Sequence, residues 1–88
     1  MKGLVDEMKK EIKRKIFEIM NLALEINSRE KNTVFVDFSG HTNGLRVQIY
    51  ENGWKAYEKP DYNEVCYFEL NNANEKLDET IKKLEELV

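Results

Sequence analysis

The lone histidine and the lone cysteine are the first candidates for chemistry in this sequence of 88 residues. His41 lies in a Gly, Thr and Asn segment that predicts a turn, where an imidazole needs an orienting partner to act as a general base. Cys66 lies on the expected inward face of a strand, in phase with Phe68, which is typical of a structural thiol. We therefore expect an exposed turn histidine, a buried cysteine and no catalytic residue.

Metal and cofactor motifs are missing from the sequence. One His and one Cys cannot form a zinc site without carboxylates or a second chain, and no G-x-G-x-x-G, Walker A, EF-hand or H-E-x-x-H pattern occurs. The acidic side chains near the end of the chain favour a solvated helix face over a metal site. We expect no cofactor, no metal and no enzyme activity. These acidic residues are Glu75, Asp78, Glu79, Glu85 and Glu86.

Composition predicts one soluble domain over residues 1–88, with 41% hydrophobic and 35% charged residues. The net charge of −3 disfavours non-specific attraction to nucleic acid or to an anionic membrane. One cysteine cannot form an intrachain disulfide, and charges that begin at Lys2 do not fit a signal peptide. The sequence thus favours a cytoplasmic protein without a membrane span.

Two helical patterns enclose an alternating central region. The first covers residues 4–30 and ends near Asn32, with its apolar side chains at steps of three and four. The second begins near Asn72, which has capping-box spacing to Glu75. The apolar stripe of the first helix comprises Val5, Met8, Ile12, Ile16, Ile19, Ala23 and Ile26. That of the second comprises Ala73, Leu77, Ile81, Leu84 and Val88.

Alternation between the helices predicts four strands, at residues 33–39, 45–50, 54–58 and 64–70. Turn residues separate them at 40–44, at the Asn52-Gly53 hairpin signal and at Pro60-Asp61. Strands with one apolar face need one covering layer. The expected fold is α+β, a two-layer αββββα sandwich in which both helices cover one face of a four-stranded antiparallel meander. The inward residues are Val34, Val36, Phe38, Leu45, Val47, Ile49, Cys66, Phe68 and Leu70.

The stretch FVDFSGHTNGLRVQIYENGW, residues 35–54, resembles a hairpin of small uncharacterised proteins of Gram-positive bacteria and their prophages. The resemblance implies a bacterial or phage origin. It implies no activity and no functional residue, because no function is assigned to those proteins.

A second apolar strip on the first helix is a candidate interaction surface. Phe17, Met20 and Leu24 recur at steps of three and four, away from the core stripe. Either the second helix buries them or they bind a partner. A basic cluster on the same helix scatters around its axis, which favours solvated side chains over a phosphate site. The cluster comprises Lys9, Lys10, Lys13, Arg14 and Lys15.

The face of the sheet that the helices leave open is a second candidate. Strand parity places Asp37 opposite Arg46 and Phe35 opposite Gln48. The Asn52-Gly53 turn then sets Gln48 opposite Tyr57 and Tyr50 opposite Lys55. These residues, with Val65 and Tyr67, form either a binding platform or ordinary cross-strand pairs. In the platform, Lys55 lies between the rings of Tyr50 and Tyr67.

Two functions remain open from the sequence. The first is a small non-enzymatic protein-interaction module that self-associates as a homo-oligomer or binds another protein. The second is single-stranded nucleic-acid binding through the aromatic sheet face. The candidate partner-binding residues are Phe35, Arg46, Gln48, Tyr50, Lys55, Tyr57, Tyr67, Phe17, Met20 and Leu24.

Overall fold

The computed structural model describes residues 2–88, with side chains from Lys9 onwards. It is an α+β protein with two helices and a three-stranded antiparallel sheet of strand order β1-β2-β3. The predicted α+β class and antiparallel sheet are confirmed. The elements are α1 (Lys2–Ile26), β1 (Thr33–Ser39), β2 (Gly44–Tyr50), β3 (Tyr62–Tyr67) and α2 (Ala73–Leu87).

Helix α1 ends at Ile26, four residues before the predicted end at residue 30. The Asn27 amide still donates to the Ala23 carbonyl, but the Asn27 side chain turns away and its Oδ1 accepts the Val34 N–H at 2.9 Å. An asparagine side chain that bonds a later backbone group competes with helix propagation in this way. The predicted stop at Asn32 is therefore wrong. The side chains of Val5 and Met8 lie outside those described.

The register of the first hairpin matches the prediction. Phe35 is opposite Gln48 and Asp37 is opposite Arg46. Strand β2 is central, and its residues Leu45, Val47 and Ile49 are at most 3% exposed. Such burial is expected of a strand that pairs on both sides and packs its apolar face against helices.

The predicted fourth strand is not confirmed, because residues 54–60 form turns and irregular backbone. Gln48 is opposite Asn63, so its predicted pairing with Tyr57 is wrong. Lys55 is likewise not opposite Tyr50, which pairs with Thr33 of β1.

The C-terminal elements also depart from their predicted limits. Strand β3 ends at Tyr67, so Phe68 packs only partly against the core and Leu70 is exposed. Helix α2 begins at Ala73 as expected, although the Asn72 side chain makes no capping hydrogen bond. Val88, which the sequence places in the apolar stripe, follows the helix and is exposed.

One hydrophobic core joins the two helices and the sheet. Helix α1 contributes Ile12 and Ile19, and helix α2 contributes Leu77, Ile81 and Leu84. They pack with the inward residues of β2 and with Cys66 of β3. Helix α1 contacts α2 and β1, and α2 contacts β3. The described residues of both predicted stripes therefore pack in or against the core, with Ile16 and Ile26 partly buried, and only Val88 is exposed.

Truncating two leucines on the helices should change the free energy of unfolding by different amounts. Leu84 is 0% exposed in the core, whereas Leu24 is 69% exposed on α1. We expect Leu84→Ala to lower the free energy of unfolding by about 2–5 kcal/mol through a core cavity, and Leu24→Ala to change it by about 0.5 kcal/mol or less. Urea melts at low protein concentration measure both. Equal losses would mean that the core is misplaced.

Candidate interaction surface

The predicted second strip of α1, comprising Phe17, Met20 and Leu24, is exposed. Phe17 is 63%, Met20 41% and Leu24 69% accessible, so α2 does not bury them. Lys15 lies about 180° around the helix from Leu24 at 3.6 residues per turn, and its ammonium contacts Asp78 of α2 at 2.9 Å. The strip, here called the α1 strip, therefore faces away from α2.

The α1 strip continues into a groove of about 290 Å³ beside β1. Met20 and Leu24 form its helical wall, and Val34 and Val36 form its strand wall. Phe35, Asp37, Ala23 and Asn27 complete the lining. The groove joins the two surfaces that were separate in the sequence-based prediction, because Phe35 belongs to the sheet face and Met20 and Leu24 to the helix. We call it the β1 groove.

The outer backbone edge of β1 opens into this groove. Phe68 N–H donates to Asn43 O at 2.9 Å. Counting in steps of two from Asn43, the backbone groups of Leu45, Val47 and Ile49 in β2 therefore point toward β3. Those of the residues between them point toward β1. By parity, the N–H and C=O groups of Val34, Val36 and Phe38 point away from β2. Asn27 satisfies the Val34 N–H. Among the described residues, the edge groups of Val36 and Phe38 have no hydrogen-bond partner.

The opposite edge of the sheet is closed by a lysine. Lys76 of α2 donates from Nζ to the outward carbonyl of Val65 in β3 at 3.3 Å and contacts Glu64 at 3.1 Å. The hydrogen bond to Glu64 raises the pKa of the Lys76 ammonium, which remains charged. A charged side chain on an edge strand opposes pairing with another chain. Strand β1, sequence TVFVDFS, has no lysine, proline or bulge and only Asp37 as a charge.

The sheet face that bears Arg46 is smaller than predicted. Tyr50 is only 9% exposed, and its ring meets that of Phe35 edge-to-face at 5.7 Å. Tyr67 lies across Gly44, where an added Cβ would come within 3.1 Å of its ring. A shallow hollow of about 230 Å³ lies on this face between Asp37, Arg46 and Tyr67. The predicted stack of Lys55 between Tyr50 and Tyr67 does not form, because Lys55 lies outside the sheet.

The loop of residues 51–61 carries two exposed aromatic side chains. Gly53 fixes its start with φ +84° and a close approach to the Arg29 carbonyl. Asp61 fixes its end, since its Oδ2 accepts the Glu51 N–H at 2.7 Å. Between these anchors Trp54 is 54% exposed and Tyr57 fully exposed. Tyr57 has φ +68°, a left-handed backbone that costs a non-glycine residue about 1–2 kcal/mol.

Sequence reasoning missed three contributors to this surface. Phe38 was placed in the core, but it is 67% exposed and stacks on Phe68 at 6.3 Å between ring centroids. Trp54 was assigned to a strand and instead borders a second apolar hollow with Arg29 and Thr33. Asn27 caps the β1 edge. The sequence signal for Phe38 was its position at the end of an edge strand, beside the turn.

The candidates for chemistry occupy structural positions. His41 is exposed in the turn between β1 and β2. Cys66 is 3% exposed, and its Sγ lies 3.5 Å from the Ala73 carbonyl that it donates to. Burial raises the pKa of the Cys66 thiol, and burial likewise raises the pKa of the Tyr62 hydroxyl, which shares a hydrogen bond with Thr80. Among residues 9–88, whose side chains the structure describes, no group of three His, Cys, Asp or Glu side chains is arranged to hold a metal.

Comparison of the chain with protein-family models, curated proteins and solved structures finds no match. Neither described helix is long and apolar enough to span a membrane.

The Cys66 thiol should be inert in the folded protein. Its raised pKa keeps it protonated at pH 8, and thiolate is the reactive species. We expect alkylation by iodoacetamide to be about a hundredfold slower in buffer than in urea. Thr42→Cys places a second thiol in an exposed turn and should label quickly in the same sample. Rapid labelling of Cys66 under native conditions would contradict its burial.

Proposed function

We propose that this chain is a small, non-enzymatic protein-interaction module that self-associates through the α1 strip and the β1 groove. The observation that carries the proposal is the asymmetry of the two sheet edges. Lys76 closes the β3 edge, whereas the open β1 edge adjoins exposed Met20 and Leu24. When a protein covers apolar side chains that lie beside unpaired backbone groups, the free energy of the system falls.

The sequence-based reading that both helices cover one face of the sheet forms part of this proposal. It is supported by the shared core, in which residues of α1 and α2 both meet the inward residues of β2. The opposite face then carries Arg46 and Gln48 and remains open. A cytoplasmic location is also proposed, and it is supported by a single cysteine that burial keeps as a free thiol.

Single-stranded nucleic-acid binding is the alternative from the sequence. The sheet face retains Phe35, Arg46, Gln48 and Tyr67. Lys55 and Tyr57 lie in the loop and not on this face, and Tyr50 is buried. No geometric observation favours this alternative, since Asp37 adjoins Arg46 and offsets its charge.

Self-association should be visible as mass in solution. At micromolar concentration we expect light scattering after size exclusion to give at least twice the monomer mass of 10.4 kDa. Leu24→Lys should lower this mass toward the monomer, because it places a charge in the β1 groove. The matched control is Leu70→Lys, which changes a leucine that is 55% exposed in the turn after β3. A monomeric wild type would refute self-association. Equal effects of both variants would remove the groove from the proposal.

The nucleic-acid alternative has a separate test. We expect no change in fluorescence anisotropy when a labelled oligonucleotide meets high-micromolar protein at ~50 mM salt, where electrostatic binding is strong. Binding that fades steeply as salt rises and is lost in Arg46→Ala would instead support the aromatic sheet face.

A further inference from the structure

The β1 groove has room for one strand and no more. Packed helices lie about 8–10 Å apart, and β1 and β3 are separated by two strand spacings, about 9.5 Å. Helix α1 contacts β1 and α2 contacts β3. With its axis over β1, a helix of ordinary width would project about 5 Å beyond the β1 edge. That overhang matches the width of a single additional strand.

The same dimensions exclude direct pairing of β1 with β1 of a second copy. Strands that share a ladder lie about 4.8 Å apart, and each β1 carries its own α1. The two helices would then be about 5 Å apart, well inside their packing distance. The added strand must therefore be a segment that carries no helix above it.

The segment Trp54–Glu58 meets this requirement. It belongs to no element, is exposed along its length and has the alternation that predicts a strand. An extended conformation requires Tyr57 to leave its left-handed backbone, and it breaks the turn bond from Glu58 N–H to Lys55 O and the bond from Trp54 N–H to Thr33 Oγ1, both 3.3 Å long. Leaving the left-handed conformation releases backbone strain rather than adding it.

Charge and side-chain size select one antiparallel register. When Lys55 lies opposite Asp37, opposite charges become cross-strand neighbours on the Arg46 face. Residue Ala56 then falls opposite Val36, beneath the helix, where space is smallest.

The flanking pairs in this register are aromatic. Tyr57 falls opposite Phe35, and Trp54 falls opposite Phe38, which is 67% exposed in the isolated chain. Cross-strand aromatic pairs are among the more favourable contacts of antiparallel sheets. The backbone groups of Ala56 would bond the free edge groups of Val36, and those of Trp54 would bond Phe38 once the Trp54 N–H leaves Thr33 Oγ1.

We propose that, in the self-associated protein, Trp54–Glu58 of one copy adds to the β1 edge of a second copy as a fourth antiparallel strand. The inference rests on the proposed self-association and names its contact. A reciprocal exchange about a two-fold axis closes the assembly as a dimer. The segment that the sequence predicted as a strand paired with residues 45–50 is thus extended in this assembly, but against β1 of the other copy.

Disulfide trapping tests the register. Lys55→Cys and Asp37→Cys are purified separately, mixed and oxidised, so that only a contact between copies can join the two new thiols. Both positions are exposed, and the native Cys66 is buried. We expect a covalent dimer in the mixture and about tenfold less in either variant alone. Lys55→Cys mixed with Arg46→Cys is the control, since Arg46 lies on the same face of the central strand.

A proline variant tests the backbone contact independently. Phe38→Pro and Phe38→Ala remove the same aromatic ring, but only proline removes the outward N–H, which is not used inside the monomer. We expect Phe38→Pro to weaken dimerisation about tenfold more than Phe38→Ala, by scattering over a dilution series. Circular dichroism checks that both variants remain folded.

The outcomes separate the two proposals. Strand addition is overturned if the wild type is a dimer but the Lys55→Cys and Asp37→Cys variants do not cross-link, and Phe38→Pro and Phe38→Ala weaken dimerisation equally. Self-association would then still stand. A wild-type monomer at high concentration overturns both. Cross-linking of Lys55→Cys to Arg46→Cys as readily as to Asp37→Cys would overturn the register and with it the proposed contact.

Discussion

The width of an α-helix is about twice the spacing of β-strands, and this difference shapes the whole molecule. Two helices packed side by side can cover about four strands, but the described residues form only three. In the proposed arrangement, with both helices on one face, the covering layer extends past the sheet. On the α2 side, the Lys76 side chain covers the β3 edge and donates a hydrogen bond to the outward Val65 carbonyl. On the α1 side, apolar Met20 and Leu24 project over an edge with free backbone groups. The proposed function follows from this second side.

The sequence predicted the elements whose burial pattern is strong. The stripe of α2, apart from Val88, and the alternation of β2 are both buried as expected, because each periodicity matches the geometry of its element. Parity also allowed the pairs Phe35–Gln48 and Asp37–Arg46, and the structure has them. In these elements the local pattern and the tertiary packing demand the same conformation, so the pattern was sufficient.

The fourth strand failed because two segments compete for one neighbour. Residues 54–58 and residues 62–67 could each pair with the free side of β2. Strand β3 brings Cys66 into the core and carries Tyr62, which bonds Thr80 of α2, whereas Trp54–Glu58 offers only Trp54 and Ala56 for burial. The Asn52-Gly53 signal instead positions Gly53 against the Arg29 carbonyl. A hairpin signal fixes a turn, but the strand that follows depends on distant packing.

The candidate site could be predicted in parts but not as a whole. Helical spacing found the α1 strip, and strand parity found Phe35. Their meeting at one groove depends on the early end of α1, where the Asn27 side chain caps β1. No periodicity encodes that hydrogen bond. The exposure of Phe38 depends likewise on the shortness of the sheet beside it.

Amide hydrogen exchange of β1 tests the central claim most directly, because it reads the proposed contact one residue at a time. The Val34 N–H, which Asn27 already accepts, should be protected at every protein concentration. The Val36 and Phe38 amides should exchange freely in dilute protein and become protected as concentration rises, together with that of Ala56. Val36 and Phe38 amides that stay unprotected in a sample whose mass is dimeric would contradict the account.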